Sequence, residues 1–358
     1  MVYWLLLAVL LLMTGISKKN IRYGNRNYAL VAGKKVYIAI ACIMFVLLAG
    51  LRNTQVGMDT EMYSVLFRYM QNMRSFKQAL NSWQLGGVEP GYALTEYLFS
   101  RHLSFQVFLF AMGMISIVPI MVVIYKYSKN YWMSLFLFVA FGYFSFAMNG
   151  IRQAVAIGIC MIAYIFAKEK KLVPYLFSVA FAMTFHLSAA IFIPVYWLSN
   201  IKLNKRTVLI YLVALAVTNI FKNQLFTIAN VFGRQVYSST GDAGGVRMYL
   251  FMMATVAVIY FFRHDFIKES PEDNTTLLSM FAIATLIWPI ASANAAMFRL
   301  YYYYHVFMVF CIPAFLHSQK RNVRFLFTVI FILVSVYYLQ VYIIGGNLKY
   351  NPYYFFWQ

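Results

Sequence analysis

This sequence is short of acid: ten Asp and Glu in 358 residues, against 30 Lys and Arg. Charged residues of both signs make up only 11 %, where a soluble domain carries about 25 %. With 63 % hydrophobic residues and a mean hydropathy of +0.69, that scarcity excludes an ordinary soluble domain and leaves an integral membrane protein. Cysteine is scarce too. Cys42, Cys160 and Cys311 lie inside apolar runs without paired or metal-ligand spacing, which excludes a disulfide framework and reads as reduced packing residues. A glycine-rich phosphate loop is missing, which argues against ATP or a cytosolic nucleotide sugar as co-substrate. A continuous basic face is missing as well. The basic residues sit in short runs between apolar segments, the pattern of the positive-inside rule and not of a nucleic-acid binder.

What the sequence has in abundance is apolar runs long enough to span a bilayer. The fold class they imply is an all-α polytopic membrane protein, a single integral domain over 1–358. Spans are placed near 2–16, 35–51, 104–125, 131–148, 151–167, 172–185, 187–199, 207–221, 247–262, 275–293, 298–316 and 325–344. The N-terminal "MVYWLLLAVLLLMTGISKK" has its lysines after the apolar stretch, so it reads as a retained anchor with its N-terminus outside. The runs 172–185 and 187–199 read either as one long span or as two short helices meeting at His186. Most of the 30 basic residues fall in 17–35, 126–130, 168–171, 200–206, 263–274 and 317–324, and only two short spans keep all six connections on one side. The expectation is therefore twelve spans with both termini outside. Arg52, Asp59, Glu89, Arg152, His186, Asp242 and Arg299 then share the external face.

Two external loops stand out, 52–103 and 222–246. From Tyr63 the apolar residues Leu66, Phe67, Met70, Met73, Phe76, Leu80 and Trp83 recur every three to four positions, as in an amphipathic helix lying in the membrane interface. "LGGVEPGY" breaks it. Pro90 can start a second short helix, with Glu89 beside its positive end. The second loop carries Arg234 and "SSTGDAGG".

Each candidate has a plain reading beside the functional one. Arg152, in "MNGIRQAVAIG", can snorkel at a span end at little cost. Gly150, Ala154 and Gly158, spaced by four, instead mark a tight interhelical contact, where an ionisable group is functional by default. Arg299 enters another span from outside, and Tyr301 to Tyr304 beside it read as an interfacial aromatic belt. His186 either satisfies frayed helix ends or acts, as a base or as a donor to phosphate. Asp59 is either a base or the N-cap of the Tyr63 helix, and Asp59 with Glu61 is a weak metal pair. Arginines, carboxylates and a histidine at an outer surface suit a lipid diphosphate. The matching reaction is attack by a sugar hydroxyl on an anomeric carbon that carries polyprenyl diphosphate, which needs a base, fixed positive charge and alignment.

The segments "LRNTQVGMDTEMY", "VEPGY", "NGIRQAVAIGI" and "FHLSAAIFIPVYWL", in this order, resemble the EpsG-like branch of the Wzy-type polysaccharide polymerases, over roughly 30–310. The resemblance implies a multi-pass protein of the bacterial cytoplasmic membrane. It would join undecaprenyl-diphosphate-linked oligosaccharides on the outer face without nucleotide or obligatory metal, with a flippase and a chain-length regulator as neighbours. Motif positions carried onto this chain are Arg52, Gly57, Asp59, Glu89, Arg152, Gln153 and His186. Arg152, Arg299 and Arg52 are then candidates for the diphosphate, Asp59, His186 and Glu89 for catalysis, and Gln153 and Gly57 for support. Arg299 rests on the residue argument alone. Two other readings fit the composition, a flippase for lipid-linked sugars and a membrane O-acyltransferase. The first lacks related halves, and the second has only His186 as a well-placed histidine.

Overall fold

A chain inside hydrocarbon must satisfy its own backbone N–H and C=O groups, and without a closed barrel only helices do so. The computed structural model describes residues 2–17, 28–84, 89–199, 201–232, 245–294 and 297–358, and among these it is helical with no sheet. Helices α1 (Val2–Ser17) and α2 (Tyr28–Gly50) precede three helices in the first long loop: α3 (Thr60–Gln71), α4 (Phe76–Gln84) and α5 (Pro90–His102). Then come α6 (Phe105–Tyr127), α7 (Tyr131–Ala140), α8 (Tyr143–Asn149), α9 (Ile151–Lys168), α10 (Leu172–Met183), a 3-10 turn at Leu187–Phe192 and α11 (Val195–Leu198). The last third holds α12 (Lys205–Ile220), α13 (Lys222–Phe232), α14 (Val246–Phe261), α15 (Arg263–Glu269) and α16 (Pro271–Ala291). A 3-10 turn at Met297–Tyr301, α17 (Tyr302–His305), α18 (Met308–Ser318), α19 (Arg321–Tyr338) and a π-helical turn at Leu339–Ile344 complete it.

Among the described residues six helices are long and apolar enough to cross a membrane, and up to nine if each bent pair counts as one span. One such pair is α7 with α8, bent by 49° where Gly142 takes a φ of +80° that a side chain would resist. The core sits around α6 and α9. A Cβ on Gly158 would lie 2.7 Å from the Ile115 carbonyl, so the small residue is what lets α6 approach. Cys160 and Cys311 are buried free thiols, and Cys42 is partly buried.

Between α10 and α11 the chain reverses at Thr184–His186. Tyr196 near the end donates to the Lys170 carbonyl at the start (3.0 Å), so the segment folds back as a hairpin of two short arms. The connections separate into two ends. One is tied by Lys126–Glu169 (2.8 Å), Lys168–Asp273 (2.6 Å), Lys129–Glu269 (3.7 Å) and His317–Glu269 (2.6 Å). A shallow depression bounded by Phe261, Arg263, His264, Ile267 and Lys268 belongs to this end. The other end carries loop 51–104 and the C-terminal tail.

Two expectations need correction. The amphipathic stretch is two helices, not one, broken at Asn72–Ser75, and its apolar face is covered by protein. Phe67 packs on Phe105 and Phe108 at 5.4 Å, and Tyr63 on Tyr92 at 6.0 Å, because α5 and α6 cover the face expected to meet lipid. Nor are the tyrosines a belt. Tyr301, Tyr303 and Tyr304 are 2 %, 0 % and 1 % exposed, and Tyr304 donates to the Ile191 carbonyl at 2.7 Å. Arg234, Asp242 and all of "SSTGDAGG" but its last glycine lie outside the described residues.

Candidate functional site

The seam between α8 and α9 is the base of the site. Gly150 breaks the helix, so Arg152 stands in the first turn of α9, at the positive end of the helix dipole. A cation there is unfavourable unless something negative faces it. That partner is Glu89, whose Oε2 lies 2.9 Å from Arg152 Nη1. Glu89 is the N-cap position of α5, with Pro90 opening the helix, yet its side chain does not cap its own helix. It reaches across instead, and its Oε1 accepts the Leu187 N–H at 2.9 Å. Gly91 N–H donates to the Thr184 carbonyl (2.8 Å), fixing α5 against the hairpin turn.

A second pair stands beside the first. Arg299 Nη1 lies 3.1 Å from Asp59 Oδ2. Asp59 occupies the N-cap position of α3 but makes no side-chain cap bond, so the ion pair takes the carboxylate that local sequence would have spent on capping. Its Oδ1 has no hydrogen-bond partner among the described residues. The seam links the two pairs. Asn149 Oδ1 accepts the Asp59 N–H at 2.8 Å, and Gln153 Nε2 donates to the Arg299 carbonyl at 3.0 Å. Side-chain exposures of 21 % and 14 % for Arg152 and Glu89, and 32 % and 23 % for Arg299 and Asp59, leave both pairs reachable but mostly dry.

His186 lies at the hairpin turn. Its Nδ1 accepts the Ser188 N–H at 3.3 Å and sits 2.7 Å from the Ser188 hydroxyl, which is 3.0 Å from the Tyr303 hydroxyl. Accepting a backbone N–H leaves the ring proton on Nε2. Burial first, then the charges of Arg152 and Arg299, pushes the imidazole down to about 3, although 30 % of the side chain remains exposed. The 3.9 Å approach to Glu89 is therefore not an ion pair at neutral pH. With Nδ1 turned to Ser188, the neutral His186 presents Nε2–H as a donor.

Arg52 is not brought to this group. It is 1 % exposed and donates to the carbonyls of Ala49 and of Met148 (3.0 Å), tying the motif loop to the end of α8. Burial lowers its guanidinium to about 10, still charged at neutral pH. Gly57 has a φ of +88°, and a Cβ there would lie 3.0 Å from Thr60 Oγ1 and 3.1 Å from the Met148 carbonyl. Its N–H donates to the Lys349 carbonyl of the tail at 2.9 Å. Glu61 is exposed, and among the described residues no three His, Cys, Asp or Glu side chains converge as a metal set would.

Sequence reasoning missed Asn149, Tyr63, Tyr92 and Glu96. The first sits inside the "NGIRQ" segment. The last two follow Glu89 by three and seven positions, a helical spacing that places them on one face of α5.

Two convergent arginine–carboxylate pairs and a neutral imidazole donor can bind a dianionic group and accept a proton beside it. Comparison with known proteins points the same way. No curated protein and no solved structure matches the chain. The EpsG family profile matches residues 35–355, nearly the whole length and every residue of the site. This membrane protein therefore belongs to the EpsG family, which is associated with a polymerase-like role in exopolysaccharide synthesis.

Proposed function

We propose that this chain is a polysaccharide polymerase, a glycosyltransferase on the outer face of the bacterial cytoplasmic membrane. It joins oligosaccharide repeat units carried on undecaprenyl diphosphate. The observation that carries this reading is the adjacent pairing of Arg152 with Glu89 and of Arg299 with Asp59 at one end of the molecule. Twelve passes with both termini outside would put that end on the external side, since the other end gathers most of the basic connections.

In this mechanism the donor diphosphate sits against Arg152, Arg299 and the start of α9, replacing protein carboxylates as the arginines' partner. The acceptor hydroxyl attacks the anomeric carbon and its proton passes to Asp59. Asp59 is the more exposed of the two carboxylates and has one oxygen without a partner among the described residues, whereas both oxygens of Glu89 are engaged. As the carbon–oxygen bond to the diphosphate breaks, the electron pair goes to the leaving oxygen. The two guanidiniums and His186 Nε2–H stabilise it there. Clustering of charge at one end, with none of these groups at mid-span, favours this over transport of the same lipid.

The test is the lipid-linked saccharide pool in cells lacking the protein. Single repeat units accumulating on the outer leaflet support the polymerase. Units trapped on the inner leaflet would make it a flippase, and full-length polymer missing only a substituent would make it an acyltransferase.

A further inference from the structure

Glu96 is the acid that the mechanism above leaves unused. It lies two turns after Glu89 on the same face of α5, with Tyr92 between them. Glu96 and Tyr92 are both 0 % exposed. The Tyr92 hydroxyl is 3.5 Å from Glu96 Oε1, and Oε2 has no hydrogen-bond partner among the described residues. On its other side Tyr92 carries the diphosphate arginine: the Arg152 guanidinium carbon is 5.8 Å from its ring centroid. Tyr63 of α3, whose ring is 6.0 Å from that of Tyr92, interacts electrostatically with the same guanidinium. Arg152 is thus backed by two tyrosines, one of which leans on a buried acid.

The charged and titratable surroundings of Glu96 are few. They are Tyr92 on its own helix, Tyr63 on α3 and Arg152 on α9. From α6 the neighbour is Phe108, 6.0 Å from Tyr92, which is apolar. Lys77 of α4 and Arg101 of α5 are exposed. Burial raises the Glu96 carboxyl to about 8, outweighing the lowering by Arg152 and by the Tyr92 hydrogen bond. The group is therefore mostly uncharged at neutral pH, as its dry setting and idle oxygen also require.

We propose that Glu96 is a positioning residue for donor binding: as an uncharged acid it holds Tyr92 under Arg152 and leaves Glu89 as the guanidinium's one carboxylate partner. Ionised, it would add a second carboxylate behind Arg152 inside a dry site, and the diphosphate would have to compete with it. This rests on the reading of Arg152 as a diphosphate group.

The experiment measures the Kd of the full-length protein for undecaprenyl diphosphate in lipid nanodiscs, from about pH 6 to 9.5. In the wild type the affinity falls about tenfold per pH unit once Glu96 ionises, if only the uncharged form binds. Glu96→Gln, which keeps the shape and cannot ionise, binds within about twofold of wild type at pH 6.5 and loses most of that fall. Glu96→Asp, a shorter acid that ionises but cannot reach Tyr92, binds more weakly at every pH. A folded Glu96→Gln protein that keeps the full alkaline fall, or that loses binding at pH 6.5, overturns the inference. Wild type that binds no undecaprenyl diphosphate at any pH refutes the diphosphate reading itself. The two failures are therefore distinguishable.

Discussion

Arg152 shows how a single side chain is specified by its surroundings. A lysine would keep the charge at the start of α9 but not the planar fork, which pairs with Glu89 while also meeting Tyr63 and Tyr92. Arg152→Lys is expected to lower polymer output about 100-fold, the scale of losing one preorganised transition-state donor, with membrane expression unchanged. Quantifying polymer against protein level in membranes checks it, and near-normal polymer would remove Arg152 from the diphosphate site. His186 makes a prediction about pH. Its folded value of about 3 lies below the ordinary 6.5, so between those limits the unfolded chain binds a proton that the folded chain refuses. Stability is free of this penalty above about pH 6.5 and declines as pH falls toward 3. Thermal unfolding of His186→Asn should therefore lose less midpoint on acidification than wild type, and identical pH slopes would show that the imidazole is not held neutral.

Among the elements, the loop 51–60 decides where Asp59 points. The tail clamps it from outside: Asn53 N–H donates to the Tyr354 carbonyl at 2.9 Å, and Phe356 N–H to the Leu51 carbonyl at 2.8 Å. Arg52 holds it from inside, and Tyr350, 3 % exposed, receives the Tyr3 hydroxyl on its carbonyl at 3.3 Å. Gly57 is the turn on which this depends. Gly57→Ala must either adopt a φ near +88°, at a cost of about 1–2 kcal/mol, or swing the turn away from Met148 and Asn149. Because Asn149 fixes the Asp59 N–H, the predicted result is a loss of activity of about tenfold or more, larger than the loss of stability alone would cause. Comparing polymer output with the fraction of folded protein separates the two. The α10–α11 hairpin plays the corresponding part for His186, since only a reversal at Thr184–His186 puts the ring beside Glu89.

For the whole molecule, the chemistry is polarised. Ion pairs at the far end are largely solvent-facing and contribute little individually, whereas those at the site are mostly buried and fix geometry. The proposed orientation is testable with single cysteines, because Cys160 and Cys311 are buried and Cys42 is only partly exposed. Gln55→Cys, at an exposed position of the site end, should react with a membrane-impermeant maleimide in intact spheroplasts. Lys170→Cys, exposed at the other end, should react only after permeabilisation. The reverse pattern would place the site in the cytoplasm and rule out chemistry on the outer face.

Composition and local spacing were enough for part of this picture. The scarcity of charge decided that this is a helical membrane protein, because only helices satisfy a backbone in lipid without forming a barrel. Proline and glycine set local breaks that could be read directly: α5 starts at Pro90, and the small-residue stripe foretold a close helix neighbour, which at Gly158 is α6, while Gly150 packs against Phe146. Motif order brought Asp59, Glu89, Arg152, Gln153 and His186 into view together. Which side chains pair depends on long-range packing. Asp59 looked like an N-cap, and 240 positions of chain separate it from the arginine that claims it. Arg52 resembled its fellow arginines and proved to be a buried brace, because nothing local says which carbonyls a guanidinium will find. Tyr301 to Tyr304 had the composition of a lipid-facing belt, and Tyr63 to Met73 that of an interfacial face. Neighbours distant in sequence covered both, and the covering of an apolar surface is a property of packing that periodicity does not encode.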